Sequence, residues 1–289
     1  MTTDAASDAL LLSSLYLHPI KSCGGIAVEE AVVIETGFEY DRAWMVVDPE
    51  GVFVSQRELP RMALVKPTLR ASDLVLRAPG MLALHLLLDT VEAACRVRVW
   101  NDTLNAFDMG DLAAQWFSDF LGRPLRLARF DPARLERRAD AAWAGVVEAP
   151  TAFVDQFPLM VLSTTSLAEL NRRLVDAGHD AVTMRRFRPN IVLDGLLEPH
   201  GEDFIDELTI DTPDGPVLLK MTKPCARCSI PDIDPDSATV DHRVNDMLAQ
   251  YRADARMGGA LTFGRHAVVV AGIEHRLRVG AAVRATLAF

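Results

Sequence analysis

The chain is short of lysine and cysteine and has no long apolar run. Lysine occurs only at Lys21, Lys66, Lys220 and Lys223, against 26 arginines. Its basic chemistry is therefore carried mainly by planar guanidinium forks, which suit phosphate and carboxylate. The four cysteines, Cys23, Cys95, Cys225 and Cys228, fit no disulfide framework in a chain of 289 residues and agree with a reducing compartment. No segment approaches the roughly 18 apolar residues of a membrane span. Leu10-Leu11-Leu12 lacks the basic flank and length of a signal peptide, so the expected location is the cytoplasm, with no membrane partner. A formal net charge of −10 argues against nucleic acid as a partner, because a phosphate backbone needs a basic face. No internal repeat is visible. The 49% hydrophobic content is that of a folded protein with room for two cores, behind a tail from Met1 to Asp8 expected to be loose.

Along the chain, short strand patterns outnumber helical ones. From Ser14 to Trp100 they fall at 15–18, 28–34, 43–47, 62–69, 74–77 and 97–100, separated by Gly24-Gly25, Asp48-Pro49-Glu50-Gly51 and Pro79-Gly80 turns. This spacing predicts a β-barrel-like N-terminal region over residues 10–128. It is closed by a helix over 111–121, where Leu112, Ala113, Trp116, Phe117 and Phe120 recur at helical spacing before Gly122. Residues 129–154 show mixed charge and no clean period, and read as a linker or excursion over the mouth of a site. A second domain over 155–289 is expected to hold strands at 159–162, 191–193, 208–210, 217–221, 267–270, 275–279 and 283–287. Its helices are expected at 166–176, with Ser166 and Glu169 as a capping box, and at 246–251. The fold class is mainly β with packed helices (α+β).

Chemistry concentrates in Lys223-Pro224-Cys225-Ala226-Arg227-Cys228, followed by Asp234-Pro235-Asp236. Two thiols and two cations share six residues, and a thiolate beside such cations is a nucleophile or a metal ligand. Pro231 and Pro235 disfavour the helix start that a thioredoxin-like redox pair needs. A structural zinc site needs four ligands, and Cys23 and Cys95 are isolated, leaving only His18 and His242 to complete a set. A single thiolate on a metal whose other ligands belong to a cofactor remains, beside the plain alternative of two core cysteines in a turn.

Three further segments place polar groups against strands. Lys21-Ser22 lies in a turn rich in backbone N–H groups, suited to an anion. Arg42 enters an apolar strand and needs a carboxylate or phosphate partner, with Asp41 or Glu39 as the local choice. Arg188 and Asn190 precede a buried strand, and Pro189 favours an extended Arg188.

Together, Tyr16-Leu17-His18-Pro19-Ile20-Lys21-Ser22, Asp41-Arg42-Ala43-Trp44, Ser55-Gln56-Arg57, Leu162-Ser163 with Ser166 to Asn171, Phe187-Arg188-Pro189-Asn190-Ile191, Cys225-Ala226-Arg227-Cys228 and Asp234-Pro235-Asp236 carry a resemblance. The chain resembles MOSC-domain proteins of the mitochondrial amidoxime-reducing component type and their bacterial relatives, from about Leu12 onward. The resemblance implies an N-terminal β-barrel region followed by a MOSC β-barrel domain, and a molybdenum cofactor (Mo-molybdopterin). Cys228 would be the metal ligand and Cys225 a neighbour. Lys21, Ser22, Arg42, Arg188, Asn190, Ala226 and Arg227 would be cofactor contacts, with Asp155 and Gln156 as further pterin contacts. Soft thiolate suits such a metal, and arginine forks suit a phosphate. The implied activity is reduction of N-hydroxylated or N-oxygenated compounds, such as hydroxylamines, N-hydroxylated bases and amidoximes. His266, where the mitochondrial members carry tyrosine, and Asp234 are the candidate acids. The sequence to Phe289 shows no ferredoxin-type cysteine cluster, so a separate iron–sulfur, flavin or haem protein is expected to supply electrons. The alternative is a cofactor carrier or sulfur-transfer module acting through Cys225 or Cys228 without turnover.

Overall fold

The computed structural model describes residues 10–145 and 147–288, so the expected loose tail lies outside the described residues. Strand accounts for 38% of residues against 19% helix, which makes the class mainly β, as the turn spacing predicts. The largest sheet runs in the order Val283–Leu287, Ile205–Ile210, Val217–Ala226, Ala260–Ala271, Leu159–Ser163, Ile191–Asp194, Leu11–Leu17, Ile26–Val28. One neighbouring pair in that path is parallel, Leu159–Ser163 with Ile191–Asp194, and the helix Thr164–Asp176 lies in the crossover between them. The sheet curls until Leu11 meets Ala282 in an isolated bridge, supported by Leu12 N–H to Ala281 O at 3.0 Å. A single bridge joins the two ends there, rather than a full ladder.

Alternating side chains fill the curl. Leu159 and Val161, Ile191 and Leu193, Leu208 and Ile210, and Val217, Leu219 and Met221 all point inward at period two. Leu12, Leu15, Leu17, Val33 and Phe38 join the same core, so the first strands of the chain pack with the C-terminal sheet. The opposite face carries Met160, Leu162 and Val192 against Leu170 and Leu174 of one helix and Val244 and Leu248 of another, Arg243–Ala249. A separate four-stranded sheet, Trp44–Val47, Arg126–Phe130, Asp102–Asp108, Ala94–Val99, packs with the helix Gly110–Leu121, which buries Ala113, Trp116, Phe117 and Phe120.

The strands Leu84–Leu87, Asp102–Asp108 and Arg126–Phe130 lie where no strand is expected; Asp102–Asp108 carries Asp, Asn and Ala, residues of low strand propensity that pairing with its neighbours overrides. The helix at 164–176 is capped by Ser163, whose Oγ accepts from Ser166 N–H at 3.1 Å, rather than by a Ser166–Glu169 box. Glu169 instead pairs with Arg172 and Arg173 along the helix.

Candidate functional site

Between the curled sheet and the four-stranded sheet lies a cavity of about 580 Å³. Its wall holds Lys21, Ser22, Arg42, Asp155, Gln156, Arg188, Asn190, Ala226, Arg227, Cys228 and His266, so residues distant in the chain meet in one place. Six cations line it, with Arg57 and Arg137 added to the expected four, against two carboxylates, Asp102 and Asp155. In an acidic protein, such an excess favours an anionic occupant.

The thiol wall is set by strand register. Along Val217–Ala226, Met221 pairs with Ala267 and Pro224 with Arg265, so three residues on one strand oppose two on the other. This bulge moves Cys225 from the inward series of Val217, Leu219 and Met221 to the helix-covered face, beside Phe187 and Phe263. A compensating irregularity follows on the partner strand at Gly264, whose φ is +78°. A Cβ there would stand 2.7 Å from Val161 O, which only glycine avoids. Arg227 Nη1 donates to Cys225 Sγ at 3.0 Å, and Nη2 donates to Phe187 O at 2.9 Å. Burial by itself would push the Cys225 thiol up, but Arg227 and His266 together outweigh it and hold it at about 6. His266 stacks on Phe157, with ring centroids 5.1 Å apart. Cys228 is partly exposed on the cavity wall, its carbonyl accepting from Asn245 Nδ2 at 3.0 Å.

The cationic wall is built from turns. Ser22, Arg42 and Arg188 have φ of +66°, +49° and +56°, a left-handed backbone that non-glycine residues rarely adopt. Arg188 is therefore not extended, despite the following proline. Buried polar contacts hold these turns in place. Arg42 Nη1 pairs with Asp41 and donates to Asn190 Oδ1 at 2.9 Å, while Nη2 donates to Arg188 O at 3.2 Å. Arg188 Nη1 donates to Cys23 O, and burial with the nearby Arg42 charge lowers its pKa to about 10. Lys21 donates to Asp155 and to Phe153 O at 2.9 Å, and burial draws its pKa down against the opposing pull of Asp155. Enclosure would raise the Asp155 carboxyl, but Lys21, Arg57 and the Trp100 indole hold it well below the usual carboxylate range.

Asp234 is the exception and corrects the expectation of an acid there. It is not among the residues lining the cavity. Its Oδ1 accepts from the Asp236 and Ser237 N–H groups at 3.0 and 2.9 Å, and its Oδ2 takes Arg186 at 2.9 Å. Enclosure would raise its pKa, but those N–H groups and Arg186 lower it, so it shapes the turn after Cys228 as a carboxylate. The zinc alternative finds no geometry either. Among the described residues no group of three His, Cys, Asp or Glu side chains could hold a metal, His18 being bonded to Pro189 O and His242 to Asp232. Sequence reasoning did not single out Trp100, Asp102, Arg137 or Phe157. Arg137 lies in the 129–154 excursion and ties it to the site through Asp102 and the carbonyls of Val154 and Asp155.

A family model described as MOSC N-terminal beta barrel domain matches residues 9–124, and one described as MOSC domain matches residues 148–284. The chain is 35% identical over 250 residues to mitochondrial amidoxime reducing component 2 of Bos taurus, spanning 83% of this chain and 72% of that protein. Identity to mitochondrial amidoxime-reducing component 1 of Homo sapiens is 34% over 250 residues, with the same coverage. Molybdenum cofactor sulfurase of Homo sapiens is 29% identical over 260 residues, covering 84% of this chain but 28% of that protein. The chain belongs to the MOSC family, with the mitochondrial amidoxime-reducing components among its homologues.

Proposed function

We propose that the chain is a molybdenum-cofactor-dependent reductase of N-hydroxylated and N-oxygenated compounds, supplied with electrons by a separate iron–sulfur, flavin or haem protein. The observation that carries this reading is a pair of soft thiols, Cys225 and Cys228, on the wall of a cavity lined by six cations. The donor set fits the cofactor's chemistry. Arg227 Nε is buried without a partner among the described residues, and the guanidinium and ammonium groups match a phosphate dianion and a polar ring. Cys228 would hold the metal, and Lys21, Ser22, Arg42, Arg188, Asn190, Ala226 and Arg227 the organic part, with Asp155 and Gln156 beside it. Once bound, the cofactor supplies a two-electron centre able to take oxygen from nitrogen.

The chain's own residues do the rest. Arg42, Asn190 and Arg188 brace one another and fix the anion seat before anything enters it. Arg227 and Cys225 orient the strand end that presents Cys228. His266 Nδ1, buried without a partner among the described residues, is the proton-handling group at the thiol wall. Net conversion of a hydroxylamine takes two electrons and two protons and yields an amine and water. Relatives named as amidoxime-reducing components support this substrate class. All four cysteines are free, which supports a reducing compartment, and the cytoplasm is part of the proposal.

The decisive variant is Cys228→Ala. Its circular dichroism should match wild type, while molybdenum content falls and reduction of benzamidoxime by reduced methyl viologen drops about a hundredfold or more. Undiminished turnover by the variant would reject the assignment. A second reading, sulfur relay or cofactor carriage, is favoured by the low pKa of Cys225 and by the sulfurase relative. Steady-state turnover by the wild-type protein excludes it.

A further inference from the structure

Arg57 and Trp100 both line the cavity, yet neither belongs to the set proposed to hold the cofactor. The Arg57 guanidinium lies 4.8 Å from the Trp100 ring centroid, a cation–π stack. Its Nε donates to Ser55 Oγ at 3.2 Å, and it makes no ion pair among the described residues. The other five cations of the wall each commit terminal nitrogens to protein: Lys21 to Asp155, Arg42 to Asp41, Arg137 to the Val154 and Asp155 carbonyls, Arg188 to Cys23 O, and Arg227 to Cys225. Among the described residues, neither terminal nitrogen of Arg57 has a protein acceptor.

Trp100 shows why the stack matters. With Asn101 it forms the two-residue turn between Ala94–Val99 and Asp102–Asp108, where Val99 pairs with Asp102. Its φ is +56°, a conformation that such turns usually assign to Asn or Gly. A bulky aromatic there is an outlier that the surroundings must hold in place. They do so through Nε1–H to Asp155 Oδ1 at 3.2 Å and a tilted contact with Phe53 at 4.8 Å between ring centroids. Trp100 is nonetheless 44% exposed. The ring and the Ser55 hydroxyl together hold the Arg57 guanidinium and leave its terminal nitrogens to whatever fills the cavity.

We infer that Arg57, set over the Trp100 ring, is a specificity-determining residue that receives an anionic group, carboxylate or phosphate, carried by the substrate. The identity of that substrate rests on the reductase reading; the existence of the seat does not. The cofactor's own phosphate offers the same chemistry, and the test separates the two sources.

The test compares benzamidoxime with 4-carboxybenzamidoxime, which differ by one carboxylate. Wild-type holoenzyme should favour the carboxylated substrate in kcat/KM. In Arg57→Gln that preference should fall about tenfold or more, with molybdenum per chain kept at the wild-type level. Arg57→Lys should recover part of it, because an ammonium keeps the charge but not the planar stack. Trp100→Asn should lose preference while its melting temperature holds or rises, which a merely structural Trp100 would not allow. In the cofactor-free chain, 4-carboxybenzamidoxime should quench tryptophan fluorescence, and both Trp100→Phe and Arg57→Gln should abolish the response. No wild-type preference, or loss of molybdenum in Arg57→Gln with an unchanged substrate ratio, would overturn the inference. If neither substrate turns over but the quenching behaves as stated, the seat stands and the reductase reading fails.

Discussion

The two walls of the cavity reach their geometry by different physics. The thiol wall sits on a hydrogen-bonded ladder, where the bulge between Met221 and Pro224 turns Cys225 to the face it occupies. The cationic wall sits on turns, where Ser22, Arg42 and Arg188 adopt left-handed backbone, and Arg42 and Arg188 are tied down by side-chain contacts. A ladder resists motion through many repeated bonds. A strained turn depends on a few specific pairs, each of which is correspondingly more costly to lose.

Removing one such pair should give the largest effect. Arg42→Ala leaves Asp41 charged with its side chain fully buried and strips Asn190 of a donor, and it should cost about 3 kcal/mol. Calorimetry should then show a melting temperature lower by about 5 °C; a loss below about 1 kcal/mol would mean that the turns do not depend on this pair. On the ladder side, Gly264→Ala sets a Cβ 2.7 Å from Val161 O at positive φ, and should cost about 2 kcal/mol by urea unfolding. An unaffected midpoint would show that the bulge can re-form around a side chain.

The remaining effect is a pH dependence peculiar to the thiol wall. Cys225 is held at about 6 against an ordinary value of 9.0, so the folded chain favours the thiolate. Its contribution is fully present above about pH 9, shrinks as pH falls, and is gone below about pH 6. The stability gap between wild type and Cys225→Ser should therefore narrow steadily from pH 9 to pH 6. A gap that widens towards acid would place the Cys225 shift in the wrong direction.

Much of the site was legible in sequence, because its parts are contiguous motifs: Lys21-Ser22, Arg42 beside Asp41, Arg188 with Asn190, and the cysteine pair with Arg227 between. The helix at 110–121 was legible for a similar reason, since its apolar residues recur at one period. Asp234 misled, because its place after the cysteines says nothing about which way its carboxylate turns; local N–H groups and Arg186 claim it. Trp100 gave no signal at all, as an aromatic at the end of a strand pattern is ordinarily core. Arg57 stood inside a recognisable segment, but that it makes no ion pair among the described residues is visible only in three dimensions.

The sequence by itself determined the composition of this cavity: which cations and thiols exist, in what order, and on which strands and turns they fall. Tertiary structure decided their facing. Period-two alternation would send Cys225 inward with Met221, and one extra residue opposite Ala267 and Arg265 reverses it. Such a reversal arises from how two strands far apart in sequence pair their backbone hydrogen bonds, and no single stretch of chain encodes that pairing.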